Sequence, residues 1–207
     1  MTVHYRTQGI ILKKQDRGEA DRLFTVFTKD FGKLKLQAIS ERKITSKLRG
    51  GLELFYLSEL EFIQGKARKT ITDATLVERY PLLRNSFERM RAMQRFAEVT
   101  DELIKGQERD EKIWNLLKGT LSFLNRSRLE SHDLKILAYY FLWNLLSYAG
   151  YAPSLEQIAA KDARIAEFIG MFLESNIESL QNIDTQGINE TLLRTISQEH
   201  LSKVLQN

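Results

Sequence analysis

The hydrophobic period of this chain changes once, and the change sits at Tyr80-Pro81. Before it, apolar residues recur at every second position. After it they recur every three to four. One such switch implies an α+β chain, a sheet half followed by an all-α half. We expect a strand domain over residues 1–80 and a helical domain over 81–207.

In the first half, Lys33-Leu34-Lys35-Leu36-Gln37-Ala38-Ile39 alternates strictly. Leu34, Leu36 and Ala38 fall on one face, and Lys33 and Lys35 on the other. Leu54–Ile63 puts Leu54, Tyr56, Leu60 and Phe62 on one face, with Glu59 and Glu61 on the solvent face. Gly9–Lys13, Arg22–Thr28 and Ile71–Val77 are β-branched and aromatic runs of strand length. Gly18, Gly32, Gly50-Gly51 and Gly65 separate them. Five short strands with glycine turns suit a small barrel, because closure leaves no exposed edge.

In the second half, Pro81 restricts Tyr80 to extended geometry and then opens a helix. Leu83, Phe87, Met90, Met93 and Phe96 carry that helix to Gly106. A second runs from Ile113 to Leu124. A third, capped by Ser131 or Asp133, ends at Gly150 with Pro153 beyond. Shorter helices are expected around Glu156–Phe172 and Gly187–Leu205.

Several chemistries are disfavoured. The chain has no cysteine, so thiolate zinc sites, disulfides and a cysteine nucleophile are excluded. The histidines His4, His132 and His200 share no ligand spacing. No Walker loop, GxGxxG turn or Gly-x-Ser-x-Gly elbow occurs. We expect no catalytic residue, no metal and no cofactor: a binding protein, not an enzyme. No apolar run approaches a membrane span, and the first residues do not resemble a secretory leader. A soluble cytoplasmic protein is expected.

Net charge is +4, but residues 1–80 carry +6 and residues 81–207 carry −2. Such asymmetry suits a polyanion partner for the first half, or a solvated basic face. The densest stretch is Ser40–Gly51, which holds Arg42, Lys43, Lys47 and Arg49 against one acid. Cations of such a loop displace counterions from phosphates, and Ser and Thr add hydrogen bonds. The candidate nucleic-acid-binding residues are Lys13, Arg17, Arg22, Lys33, Lys35, Arg42, Lys43, Lys47 and Arg49. Phe24, Phe27, Phe55, Tyr56 and Phe62 read as core. Tyr5 and Phe31, beside turns, are the candidates for stacking on bases. Arg84, Arg89, Arg91 and Arg95 lie beside apolar helix faces and are candidates for docking an acidic protein tail. A protein-interaction scaffold and an RNA-binding barrel without annealing activity are the alternative readings.

Gly18–Thr28 followed by Phe31-Gly32-Lys33-Leu34 resembles the opening of the RecO family of recombination mediators. Thr7–Leu12 before it, Ser46–Gly50 with Leu52–Phe55, Tyr80–Arg84 and Leu145–Leu155 fit the same pattern in order. The resemblance implies an N-terminal OB-fold and a C-terminal helical domain. It implies binding to single- and double-stranded DNA and annealing of complementary strands without nucleotide consumption. It implies RecR and the acidic tail of single-strand-binding protein as partners, RecA indirectly, and a place at the bacterial nucleoid. Many members carry a four-cysteine zinc module after the Gly-Tyr-Ala-Pro segment. Here Ser154–Phe168 has no cysteine, so a zinc role does not carry over. Leu155, Ile158, Ile165 and Phe168 are expected to hold that segment by packing.

Overall fold

The computed structural model describes residues 3–183 and 185–206. Strands β1 (His4–Arg17), β2 (Asp21–Thr28), β3 (Gly32–Ala38), β4 (Leu57–Gln64) and β5 (Lys69–Glu78) come first. Helices α1 (Pro81–Arg84), α2 (Phe87–Leu103), α3 (Glu111–Leu124), α4 (Ser131–Tyr148), α5 (Leu155–Ala159), α6 (Ala163–Glu174) and α7 (Glu190–Leu205) follow. The strands close into a barrel in the order β1-β2-β3-β5-β4, the topology of an OB-fold.

Closure depends on the length of β1. Its first part, His4–Ile10, pairs with β4, and its second, Gly9–Arg17, pairs with β2. A bulge between Ile11 and Lys13 bends the strand between these two duties. Only the middle of β1 is legible as a strand from apolar content. Its first residues alternate with charge outward, where Arg6 makes two 2.8 Å bonds to Glu59 on β4. β4 starts at Leu57, later than the apolar run suggests. Phe55 adopts φ 63°, which ends the extended run, and its side chain turns into the core.

Two apolar clusters organise the molecule. Ile11, Phe24, Val26, Leu34, Leu36, Leu60, Phe62 and Ile71 fill the barrel, and Leu52 closes one end beside the 3₁₀ turn Lys47–Gly50. The other cluster starts on the outside of the barrel. Ile10, Leu12, Phe27, Phe55 and Leu57 pack against Tyr80, Leu83, Met93, Phe96 and the centres of α3 and α4. The run Ile10-Ile11-Leu12 is therefore buried on both faces of its strand. Each such side chain contributes about 1.5–3 kcal/mol when fully buried, so the barrel is fixed against the helices.

Tyr80 departs from expectation. It is not extended but left-handed, at φ 50° and ψ 66°. Its ring is fully buried in the shared cluster, and that packing holds a conformation that costs of order 1 kcal/mol or more. The first helix is interrupted at Asn85-Ser86, where Ser86 caps α2 by accepting from the Arg89 amide. At the start of α4, Glu130 and Asp133 form a capping box, and Ser131 is already helical. Its end is a Schellman turn: the Tyr151 amide reaches Leu146 O and the Gly150 amide Ser147 O, with Gly150 at φ 87°. Asp162 caps α6 and splits the expected 156–172 helix in two. Ile158, Ile165 and Phe168 are buried there; Leu155 stays partly exposed.

Candidate nucleic-acid interface

The outer face of β1–β3 divides into two halves. Near Ile10 and Phe27 the outward side chains are apolar and lie under the helices. Further along, the register aligns Lys13 with Thr25 and Thr25 with Lys35. The next row is Gln15, Leu23 and Gln37. Leu23 apart, these rows are polar, and Lys13, Gln15 and Lys35 are exposed, so no helix packs over them.

The open half floors a cleft of about 650 Å³. Leu23, Lys33, Lys35 and Gln37 form the floor. The β4–β5 turn makes one wall, where Arg68 donates to Gln37 Oε1 at 3.1 Å and Lys69 to Gln107 Oε1 at 3.0 Å. The end of α2 and the loop after it make the other, with Asp101, Glu102 and Lys105. Gly32 allows this wall to approach. It sits at φ +60°, and a Cβ there would strike the Glu108 carbonyl. Arg17 stands at the cleft beside the β1–β2 turn. The β2–β3 face and the β1–β2 and β4–β5 loops are where OB-folds receive oligonucleotides. The far side of the barrel is acidic, with Glu59 on β4 opposite Thr75 and Glu61 opposite Asp73 on β5.

The candidate cations separate into committed and available groups. Lys33 is only 9% exposed and donates to Asp101 Oδ1 at 2.8 Å and to the Asp101 carbonyl at 2.5 Å. It fastens the barrel to α2, and its ammonium is engaged there. Burial alone would raise the Asp101 carboxyl, but the bond and charge of Lys33 hold it below its usual range. Arg22 is likewise committed, bonding Asp16 at 2.8 Å and the buried Glu41 at 3.1 Å. Arg42 tethers the basic loop: it donates to Gly18 O at 3.2 Å and lies 3.6 Å from Asp16. Asp21 holds the root of that loop by accepting from the Ser40 amide at 2.8 Å, and this bond keeps its carboxyl below the ordinary value. Lys13, Arg17, Lys35, Lys43, Lys47 and Arg49 are exposed.

Tyr5 and Phe31 are half-buried and engage each other and Phe62. Tyr5 stacks on Phe62 at 5.2 Å, and Phe31 meets both rings edge-on. Together they cap the barrel core. Arg84 donates to Leu54 O at 2.6 Å and covers the Tyr56 ring at 4.8 Å. Arg89 donates to the carbonyls of Leu124 and Arg126 past the end of α3. Both are tied within the chain and half-buried. Arg91 and Arg95 instead line an open groove between α2 and α4.

Arg68, Lys69 and Lys105 also line the cleft, and sequence reasoning alone does not single them out. Lys66-Ala67-Arg68-Lys69 lies between two expected strands, the same signal that marked the 42–49 loop. Lys105 comes from the helical half and is brought here only by the fold.

A four-cysteine zinc module has no ligands here. The chain has no cysteine, and among the described residues no three His, Asp or Glu side chains gather to hold a metal. Among the described residues no helix is long and apolar enough to cross a membrane.

Known families match both halves of the chain in order. The family model described as Recombination protein O N terminal matches residues 1–80. The model described as Recombination protein O C terminal matches residues 84–182. A protein named DNA repair protein RecO from Roseiflexus sp. is 34% identical over 168 residues, 81% of this chain and 58% of that protein. One from Dehalococcoides mccartyi is 36% identical over 156 residues, 75% of this chain and 60% of that protein. One from Gloeothece citriformis is 31% identical over 157 residues, 76% of this chain and 55% of that protein. The chain thus spans between 55% and 60% of the length of these relatives. With both halves matched in order and a barrel closed in the OB topology, the chain belongs to the RecO family.

Proposed function

We propose that this chain is a DNA repair and recombination mediator that binds single- and double-stranded DNA and anneals complementary strands. The observation that carries the reading is the basic cleft on the β2–β3 face, walled by the β4–β5 turn and the end of α2. A single strand lies in the cleft against Lys35, Arg68 and Lys105, with Leu23 as its apolar floor. The loop Lys43–Arg49 takes phosphates of a second strand or of a duplex. Neutralising phosphates on both strands lowers their mutual repulsion, and released counterions supply the free energy. Because Tyr5 and Phe31 are spent on the barrel cap, binding depends on charge more than on base stacking. With RecR, the protein assists RecA loading on strands coated by single-strand-binding protein, at the nucleoid in the cytoplasm.

Annealing of complementary oligonucleotides tests this reading. Purified protein is expected to accelerate it without nucleotide and equally with EDTA present. A requirement for ATP, or arrest by EDTA, contradicts it.

A protein-docking role for the helical half accompanies this one. The α2–α4 groove has a volume of about 480 Å³ and a floor of Ala92, Leu134 and Ala138. Phe87, 80% exposed, flanks it, as do Arg91, Arg95 and Lys135. An acidic tail ending in an apolar residue needs that mixture of cations and apolar pocket. In fluorescence anisotropy with such a labelled peptide, Arg91→Glu/Arg95→Glu is expected to weaken binding by about tenfold or more, at ~1.4 kcal/mol per decade. DNA binding should keep its salt slope. Unchanged peptide affinity in this variant removes the groove from the account.

A further inference from the structure

We propose that Ile44 is an apolar wedge that enters between adjacent base pairs of a DNA duplex from the minor groove. The proposal rests on the DNA-binding reading above and adds a base contact to it.

Isolated exposed apolar residues are common on protein surfaces. The setting of Ile44 distinguishes it. It is 92% exposed, more than any other large hydrophobic side chain among the described residues. It occupies a tight turn closed by the Ser46 amide on Lys43 O at 3.0 Å. The turn is held from behind. The Arg42 amide bonds Ala20 O at 3.0 Å, and the Arg42 guanidinium bonds Gly18 O at 3.2 Å. Ser40, at φ 55°, is pinned by its amide to Asp21. A tip anchored this way does not fold back onto the barrel.

Charge surrounds the tip on both sides. Lys43 precedes Ile44, and Lys47 and Arg49 follow it, all exposed. A minor groove is about 6 Å wide and is bordered by a phosphate row on each side. Cations flanking a projecting aliphatic side chain match that cross-section. Apolar wedges of this kind part a base step and kink the duplex, and flanking contacts to the bent backbone repay the unstacking. In a protein that pairs strands, such a wedge senses a duplex by its stack.

The test uses the full chain and a duplex carrying 2-aminopurine, whose fluorescence rises when it unstacks. The wild-type chain is expected to raise that signal several-fold. Ile44→Ala should bind about tenfold more weakly, as expected for part of one buried aliphatic side chain. It should keep the wild-type salt slope and leave the 2-aminopurine signal at its free-duplex level. The residue touches nothing in the core, so its melting temperature should not move. If Ile44→Ala matches the wild type in affinity and signal, the wedge is refuted. If the wild type binds with a steep salt slope but leaves the signal unchanged, the wedge is again refuted, while the DNA-binding reading stands. A wild-type chain that does not bind duplex overturns both.

Discussion

Reversing two charges in the cleft, Lys35→Glu with Arg68→Glu, is expected to weaken binding to single-stranded DNA by about 100-fold at low salt. Charge-assisted contacts are worth about 1.5 kcal/mol or more each, and two such losses make roughly two decades. The dependence of log K on log salt should flatten by about 1.4, at ~0.7 per lost phosphate contact on single strands. Both residues are exposed, so stability should stay within about 0.5 kcal/mol apart from the lost Arg68–Gln37 bond. The matching control is Glu59→Lys on the acidic side of the barrel, which should leave the slope unchanged. An unchanged slope in the cleft variant would mean that the phosphates lie elsewhere.

The Lys33–Asp101 tie makes the second large effect, on stability. Asp101→Ala takes the carboxylate from an ammonium that is only 9% exposed and leaves it the residue-101 carbonyl. Breaking a buried pair by removing one partner costs 3–5 kcal/mol, and the partial exposure of Asp101 brings the expected loss to about 2 kcal/mol. For a chain of this size that corresponds to a drop in melting temperature of about 4–8 °C. Lys33→Met with Asp101→Leu should recover most of it, because neither charge is then left alone. Acid sensitivity follows from the same pair. The Asp101 carboxyl sits below its usual range when folded, so it binds a proton less readily than in the unfolded chain. Its stabilisation is complete above the unfolded value near pH 4 and is lost as pH falls through the folded value. Asp101→Ala should therefore unfold with a shallower pH dependence below about pH 4, as followed by circular dichroism. A wild-type melting temperature in Asp101→Ala would show that the tie does not hold the domains.

Much of this architecture was visible in the residues. The strict alternation of Lys33–Ala38 and the glycine spacing announce a small barrel, and Pro81 and Gly150 mark where helices begin and end. What was hidden has physical causes. The two ends of β1 are polar, so their strand character comes from cross-strand pairing, of Arg6 and Gln8 with Glu61 and Glu59 on β4 and of Gln15–Arg17 with Asp21–Leu23 on β2, not from apolar content. Tyr80 takes a left-handed turn because its ring is needed in the shared core, a tertiary demand that local rules for X-Pro cannot anticipate. Ion-pair partners are equally invisible. Lys33 and Lys35 look identical on one strand face, yet Asp101, far along the chain, claims one and leaves the other open. Arg22 reads as a free cation until the fold sets it between Asp16 and Glu41.

Nucleic acid is expected on the β2–β3 face, between the β4–β5 turn and the end of α2. Photo-crosslinking of a bromouracil-substituted single strand to the full chain, mapped by mass spectrometry, tests it most directly. Crosslinked peptides containing Arg17–Leu23, Lys33–Gln37 and Gln64–Lys69 are expected. Crosslinks concentrated on the acidic β4–β5 face around Glu59, Glu61 and Asp73 would contradict it.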